Sequence, residues 1–219
     1  MQIGLIRQAQ LLFLKELKCE WRNRYAINGI LVQLLSSVFI CYLIFSSINS
    51  STWTALVFLV LLFTSTNAIA RSFASESEGR MLYYHQLSNP LAMFLAKALF
   101  NTVISVAIAI IGFYVFKVLL GTGDEPMQLL YLLLLFSAGS GLLLSTVSAI
   151  SAKSKGGNIL MPVLAFPLMI PLLLVSTTAG RKVQSQMEFD VLPDILVMVF
   201  IIAMIGVLTT LLYKFLWQD

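Results

Sequence analysis

The chain carries one histidine, His85, and two cysteines, Cys19 and Cys41. Nucleophilic catalysis, zinc binding and heme-iron ligation all draw on these residue types. Cys19 and Cys41 stand far apart, with neither a C-x-x-C spacing nor a neighbouring histidine, so no zinc site or redox dithiol is indicated. Cys41 lies in an apolar run, where a thiol behaves as a small hydrophobe. His85 sits beside Tyr83 and Tyr84 in a connection between apolar runs and reads as an ordinary interfacial histidine. The nine methionines, Met161 and Met169 among them, read as packing residues. No cofactor or metal ligand is assigned. Gly156-Gly157 lacks the Walker spacing and its Lys-Ser/Thr ending, so no phosphate loop is present.

Three other sets of residues remain. Within the apolar runs the polar residues are Asn28, Gln33, Asn67, Lys97 and Asn101. A charge at membrane depth is a functional hypothesis by default. Lys97, however, follows Pro90 by seven residues, about 10 Å of helix, so its stem is expected to snorkel back to the interface. Asn101, one turn further on, can share a polar cluster with it. A second set is Pro162, Pro167 and Pro171 in one run. Each removes a backbone donor and crowds the preceding turn, so a smooth helix is not expected. These are hinge or path-lining candidates, set against a kinked packing helix. The third set is the row of small residues Ser137, Gly141, Ser145, Ser148 and Ala152, which lets another helix approach closely, within the monomer or on a partner.

The elements that position these residues follow from composition. The chain has 219 residues, 59% hydrophobic and 11% charged, with a mean hydropathy of +0.92. Soluble chains carry about 25% charged residues, so this one cannot cover a water-facing surface. A soluble enzyme, a disordered tail and a basic nucleic-acid module are excluded. Six apolar runs are long enough to span a bilayer, at about 26–48, 53–70, 91–116, 127–150, 159–179 and 195–213. Backbone amides in hydrocarbon must pair within their own segment, and no alternating strand pattern occurs, so the spans are predicted to be helices. The fold expected is an all-α integral membrane protein, with residues 26–219 forming a six-span permease-like domain.

Orientation follows from the basic residues. With both termini cytoplasmic, Arg7, Lys15, Lys18, Arg22, Arg24, Arg71, Arg80, Lys153, Lys155 and Lys214 fall inside, and Lys97 if it snorkels. Only Lys117, Arg181 and Lys182 fall outside, a strong positive-inside bias. The first 25 residues are too interrupted by charge to be a signal peptide. Instead Leu5, Leu12, Leu17 and Trp21, with the basic residues between them, suggest an amphipathic helix in the headgroup plane. It is either a topology anchor or an elbow that meets a cytoplasmic partner.

The connection from Arg71 to Pro90 is long and mixed in character. Glu76, Glu78 and Gly79 precede a stretch from Arg80 to Leu87 that would form a short helix burying Met81, Tyr84 and Leu87 on one face. Pro90 suits the first turn of the helix that follows. Such an element either lies on the membrane or plugs into a groove on a cytoplasmic protein.

The acidic pair, the glycine, the short apolar helix, the Ser88-Asn89-Pro90 and Lys97 together resemble the ABC-2 type export permeases. A closer resemblance is to the CcmB family, the heme exporter B subunits of bacterial cytochrome c maturation. Three stretches carry it: Ala74–Lys97, with Glu-Gly-Arg-x-Leu and Leu-Ala-Lys; Lys-Ser-Lys-Gly-Gly at 153–157; and the proline- and leucine-rich 159–174. Size and six-span layout are similar throughout. The resemblance implies an inner-membrane permease subunit without catalysis of its own. It also implies a coupling segment (Glu76, Glu78, Gly79, Arg80, Leu82, Leu87, Pro90) that docks on a separate CcmA-like ATPase. The further partners it implies are CcmC-like and CcmD-like membrane proteins and a CcmE-like heme chaperone, with ATP bound on the partner and heme as the cargo.

Three alternatives stand beside this reading. An ABC-2 permease for another apolar or amphipathic cargo, as a homodimer, suits spans almost free of charge. A passive scaffold would make 71–90 dispensable. An intramembrane enzyme is opposed by the absence of Asp or Glu from the six runs and by the single histidine.

Overall fold

A computed structural model describes residues 5–22, 24–45, 48–74, 90–121, 126–152, 157–185 and 191–216. Among these, seven α-helices and no strand occur: α1 (Leu5–Arg22), α2 (Arg24–Ile44), α3 (Ser50–Ala74), α4 (Pro90–Leu120), α5 (Met127–Ala152), α6 (Gly157–Gln184) and α7 (Val191–Leu216). Helices α2 to α7 are each long and apolar enough to cross a membrane. The architecture is the expected all-α one, with α1 preceding six spans.

Helix ends depart from the apolar runs, for local reasons. The first run was expected to reach residue 48, but α2 ends at Ile44. Asn49 caps α3: its Oδ1 accepts the Ser51 N–H at 2.8 Å, and its carbonyl accepts the Trp53 N–H at 2.9 Å. An N-cap asparagine thereby starts α3 at Ser50, three residues before its apolar run. Pro90 opens α4, where a missing N–H costs nothing. At its other end α6 runs through Arg181 and Lys182 to Gln184, past the expected limit at 179, because a helix need not stop where the hydrocarbon does.

Helices α3 and α5 form the core, with 67% of the spanning residues buried in each, against 11% in α2 and α7. Phe58 of α3 and Phe136 of α5 meet edge-to-face with centroids 5.1 Å apart, a geometry that suits two ring quadrupoles. The peripheral helices turn Val32, Phe39 and Leu43 of α2 and Leu192, Leu196 and Phe200 of α7 outward. Apolar surface of this extent is stable only in lipid, so the chain is a multi-pass membrane protein. At the end of the bundle away from the termini, here the distal end, Trp53 packs edge-on against Phe113 and Phe116. There Lys182 of α6 also meets Asp194 of α7 at 2.8 Å.

Helix α1 packs along α4. Its outward side carries exposed Leu11, Leu14 and Leu17, with Leu12 half-buried, while Ala9 faces the bundle. The helix is therefore braced on the bundle along one side and exposed along the other. Glu20 is half-buried, and this burial, together with the Glu16 charge one turn away, pushes its carboxyl above the usual range.

Candidate functional site

The small-residue row of α5 faces α4. Ser137, Gly141, Ser145 and Ser148 are all buried. A β-carbon on Gly141 would stand 2.7 Å from the Thr102 Cα and 3.1 Å from the Asn101 carbonyl oxygen, so the two backbones touch there. Asn101 Nδ2 donates to Ser145 Oγ at 2.9 Å, and Ser145 Oγ donates in turn to the Gly141 carbonyl at 2.8 Å. The row therefore packs within the monomer. The two helices run antiparallel, with Asn101 beside Ser145 and Ser105 beside Gly141.

Lys97 is enclosed by protein. Its side chain is only 5% exposed and its Nζ is inaccessible to solvent. Helix α4 is packed against α1, α2, α3 and α5, so this face of the helix meets protein. Lys97, Asn101 and Ser105 lie four residues apart on one face of α4 and produce a polar seam against α5. Ser105 was not singled out in the sequence, although the spacing of four from Lys97 and Asn101 marks it. The seam is incompletely satisfied within the described residues: Asn101 Oδ1, Ser105 Oγ and Ser137 Oγ are buried without a hydrogen-bond partner there. Buried polar atoms of this kind are ordinarily served by ordered water, or they exchange partners as the structure moves.

The prolines stand apart from the seam. Helix α6 is continuous across Pro162, Pro167 and Pro171. Each proline deletes one backbone bond while the neighbouring bonds hold the turn, and membrane spans tolerate this. Pro167 and Pro171 are exposed and Pro162 is half-buried. Phe166 between them packs on Phe63 of α3 with centroids 5.5 Å apart.

Of the coupling segment, Glu76, Glu78, Gly79, Arg80, Leu82 and Leu87 lie outside the described residues, as does His85. The structure fixes the two ends: α3 runs to Ala74 and α4 begins at Pro90. Any force on the segment therefore enters two helices, one from the core pair and one that carries the seam. Among the described residues no three of His, Cys, Asp and Glu are grouped to hold a metal.

Residues 7–171 match the family described as ABC-2 type transporter. No curated protein and no solved structure matched the chain.

Proposed function

The chain belongs to the ABC-2 type transporter family, and from that premise we propose that it is the permease subunit of a complex serving heme delivery in cytochrome c maturation. Membership makes it a membrane permease subunit of an ABC transporter, a family that works with an ATPase subunit. The observation that carries the coupling reading is the pairing of ends at Ala74 and Pro90, which hands any push on residues 71–90 directly to α3 and α4. ATP binding on a CcmA-like partner would shift the docked segment, tilt these helices and move α4 against α5. The buried polar seam, with its close backbone contact at Gly141, is where that movement would be resolved into two arrangements.

Heme as cargo rests on the resemblance of 74–97, 153–157 and 159–174 to the CcmB family, which also supplies CcmC-like, CcmD-like and CcmE-like partners. The inner membrane as location, with both termini cytoplasmic, rests on the basic residues of one side. A general exporter of an apolar or amphipathic cargo is the second reading, favoured by spans in which Lys97 is the one deeply placed charge among the described residues. Capture of the natural chain from mildly solubilised native membranes, with every co-purifying protein identified, separates the two. Recovery of an ATPase together with a heme-binding chaperone supports heme delivery. An ATPase without heme-handling proteins leaves the general exporter, and no ATPase removes both.

A further inference from the structure

At the distal end of the bundle a cavity of about 420 Å³ opens between α5 and the facing ends of α6 and α7. Its walls are Leu132 and Leu135 of α5, Val183 of α6, and Val191 and Ile195 of α7. Gln128 and Tyr131 supply its polar side groups. Gln128 is the second residue of α5, and Leu135 lies about 10 Å deeper along the helix. Ile195 is likewise one turn deeper than Val191, the first residue of α7. The cavity is thus apolar on its α6 and α7 sides up to the end of the bundle, with its polar groups confined to the first two turns of α5, and its deepest residues, Leu135 and Ile195, are apolar. Beside it, Lys182 and Asp194 place a cation and an anion 2.8 Å apart, and both side chains retain some exposure (37% and 20%).

We propose that this cavity is a binding site for one phospholipid of the distal leaflet, an acyl chain occupying the slot down to Leu135 and a zwitterionic headgroup lying over the Lys182–Asp194 pair. The volume is within the range of small-molecule sites, and the layout, apolar walls with a few polar groups at one end, is that of an amphiphile site. A zwitterionic phosphodiester headgroup carries the complementary anion and cation, so it can exchange contacts with both members of the pair. An uncharged amphiphile fits the slot but not the pair. A bound lipid would also join the ends of α5, α6 and α7, where α7 is otherwise the least buried span together with α2. The inference needs only that the chain spans a membrane and is independent of cargo and of ATPase coupling.

The test uses the full chain in nanodiscs of phosphatidylethanolamine and phosphatidylglycerol. A small fraction of either lipid carries a photoactivatable diazirine in its acyl chain, and adducts are mapped by mass spectrometry. Leu192 and Leu196 are the depth-matched references, since they lie on the same turns of α7 as Val191 and Ile195 but face outward. With the phosphatidylethanolamine probe, adducts at 132–135, 191 and 195 are expected to exceed those at the references about tenfold, a preference of about 1.4 kcal/mol. The phosphatidylglycerol probe should give a smaller excess. Leu135→Trp, which fills the slot, should bring the excess down while adducts at Leu192 and Leu196 stay unchanged; Ile195→Trp provides the same test from α7. Labelling of the cavity positions at the level of the references, or an excess untouched by both tryptophans, means ordinary annular lipid and overturns the proposal. An excess equal for both probes overturns the headgroup assignment.

Discussion

Gly141 is the residue on which the packing of the polar seam turns. In Gly141→Ala the new methyl would stand 2.7 Å from the Thr102 Cα and 3.1 Å from the Asn101 carbonyl oxygen. Carbon atoms rest at about 3.5–4.0 Å, and both obstacles are main chain, so no rotamer change relieves the overlap. The helices must part by roughly 1 Å, an overpacking cost of about 1–3 kcal/mol. The same separation stretches the 2.9 Å Asn101–Ser145 hydrogen bond, worth about 0.6–2 kcal/mol between membrane helices. Alanine's better helix propensity returns up to about 1 kcal/mol. The net loss is about 0.6–5 kcal/mol, or a fall in Tm of roughly 1–20 °C at this chain length.

The matched control is Gly206→Ala, where the nearest atom, Leu142 Cδ2, is 3.8 Å away, an ordinary contact. That variant keeps the propensity gain without the overlap, so it should melt at or above the natural chain, by up to about 1 kcal/mol. Gly112→Ala should fall between them, because the Leu61 Cδ2 that it meets at 2.9 Å is the movable tip of a side chain. Thermal unfolding of the three purified variants in one detergent gives the ranking. Equal melting of Gly141→Ala and Gly206→Ala would refute the close approach of α4 and α5.

Further consequences can be measured on the same preparations. A double-mutant cycle of Asn101→Ala and Ser145→Ala should give a coupling energy of about 0.5–2 kcal/mol, and a value near zero would mean that the 2.9 Å bond does not form in the membrane. Glu20 has a raised carboxyl pKa in the folded chain, so the folded state holds its proton more tightly than the unfolded one. Stability is therefore lost as pH rises from the ordinary carboxylate pKa through the raised one, and stays lost above it. Glu20→Gln should raise the melting temperature at neutral pH and leave it unchanged in acid below the ordinary value; the same gain at both pH values would contradict this assignment.

Much of the fold was legible in the sequence, because a span is a statement about hydropathy along the chain, and the six runs are unbroken. What hydropathy lacks is azimuth. It placed Lys97 about 10 Å up a helix and left its direction to the general habit of lysine stems, whereas the packing of α1 and α5 on α4 encloses it. The row of Ser137, Gly141, Ser145 and Ser148 was readable as an interface, but the identity of the facing helix was not, since the matching signal on α4 is the sparse spacing of Lys97, Asn101 and Ser105. The prolines of α6 marked a helix that need not be smooth, and the one helix from Gly157 to Gln184 accommodates all three. Helix ends were displaced wherever a cap such as Asn49, and not the end of an apolar run, sets the boundary.

The most direct test of coupling is a photo-crosslinking residue placed at Leu82 or Leu87 of the chain in native membranes, with Leu208, exposed on α7, as the reference position. The account predicts a crosslink from 82 or 87 to an ATP-hydrolysing subunit, absent from Leu208 and lost when Glu76→Ala, Glu78→Ala and Gly79→Leu are combined. Crosslinks from Leu82 and Leu87 to lipid alone, with no ATPase recovered from either position, would contradict it.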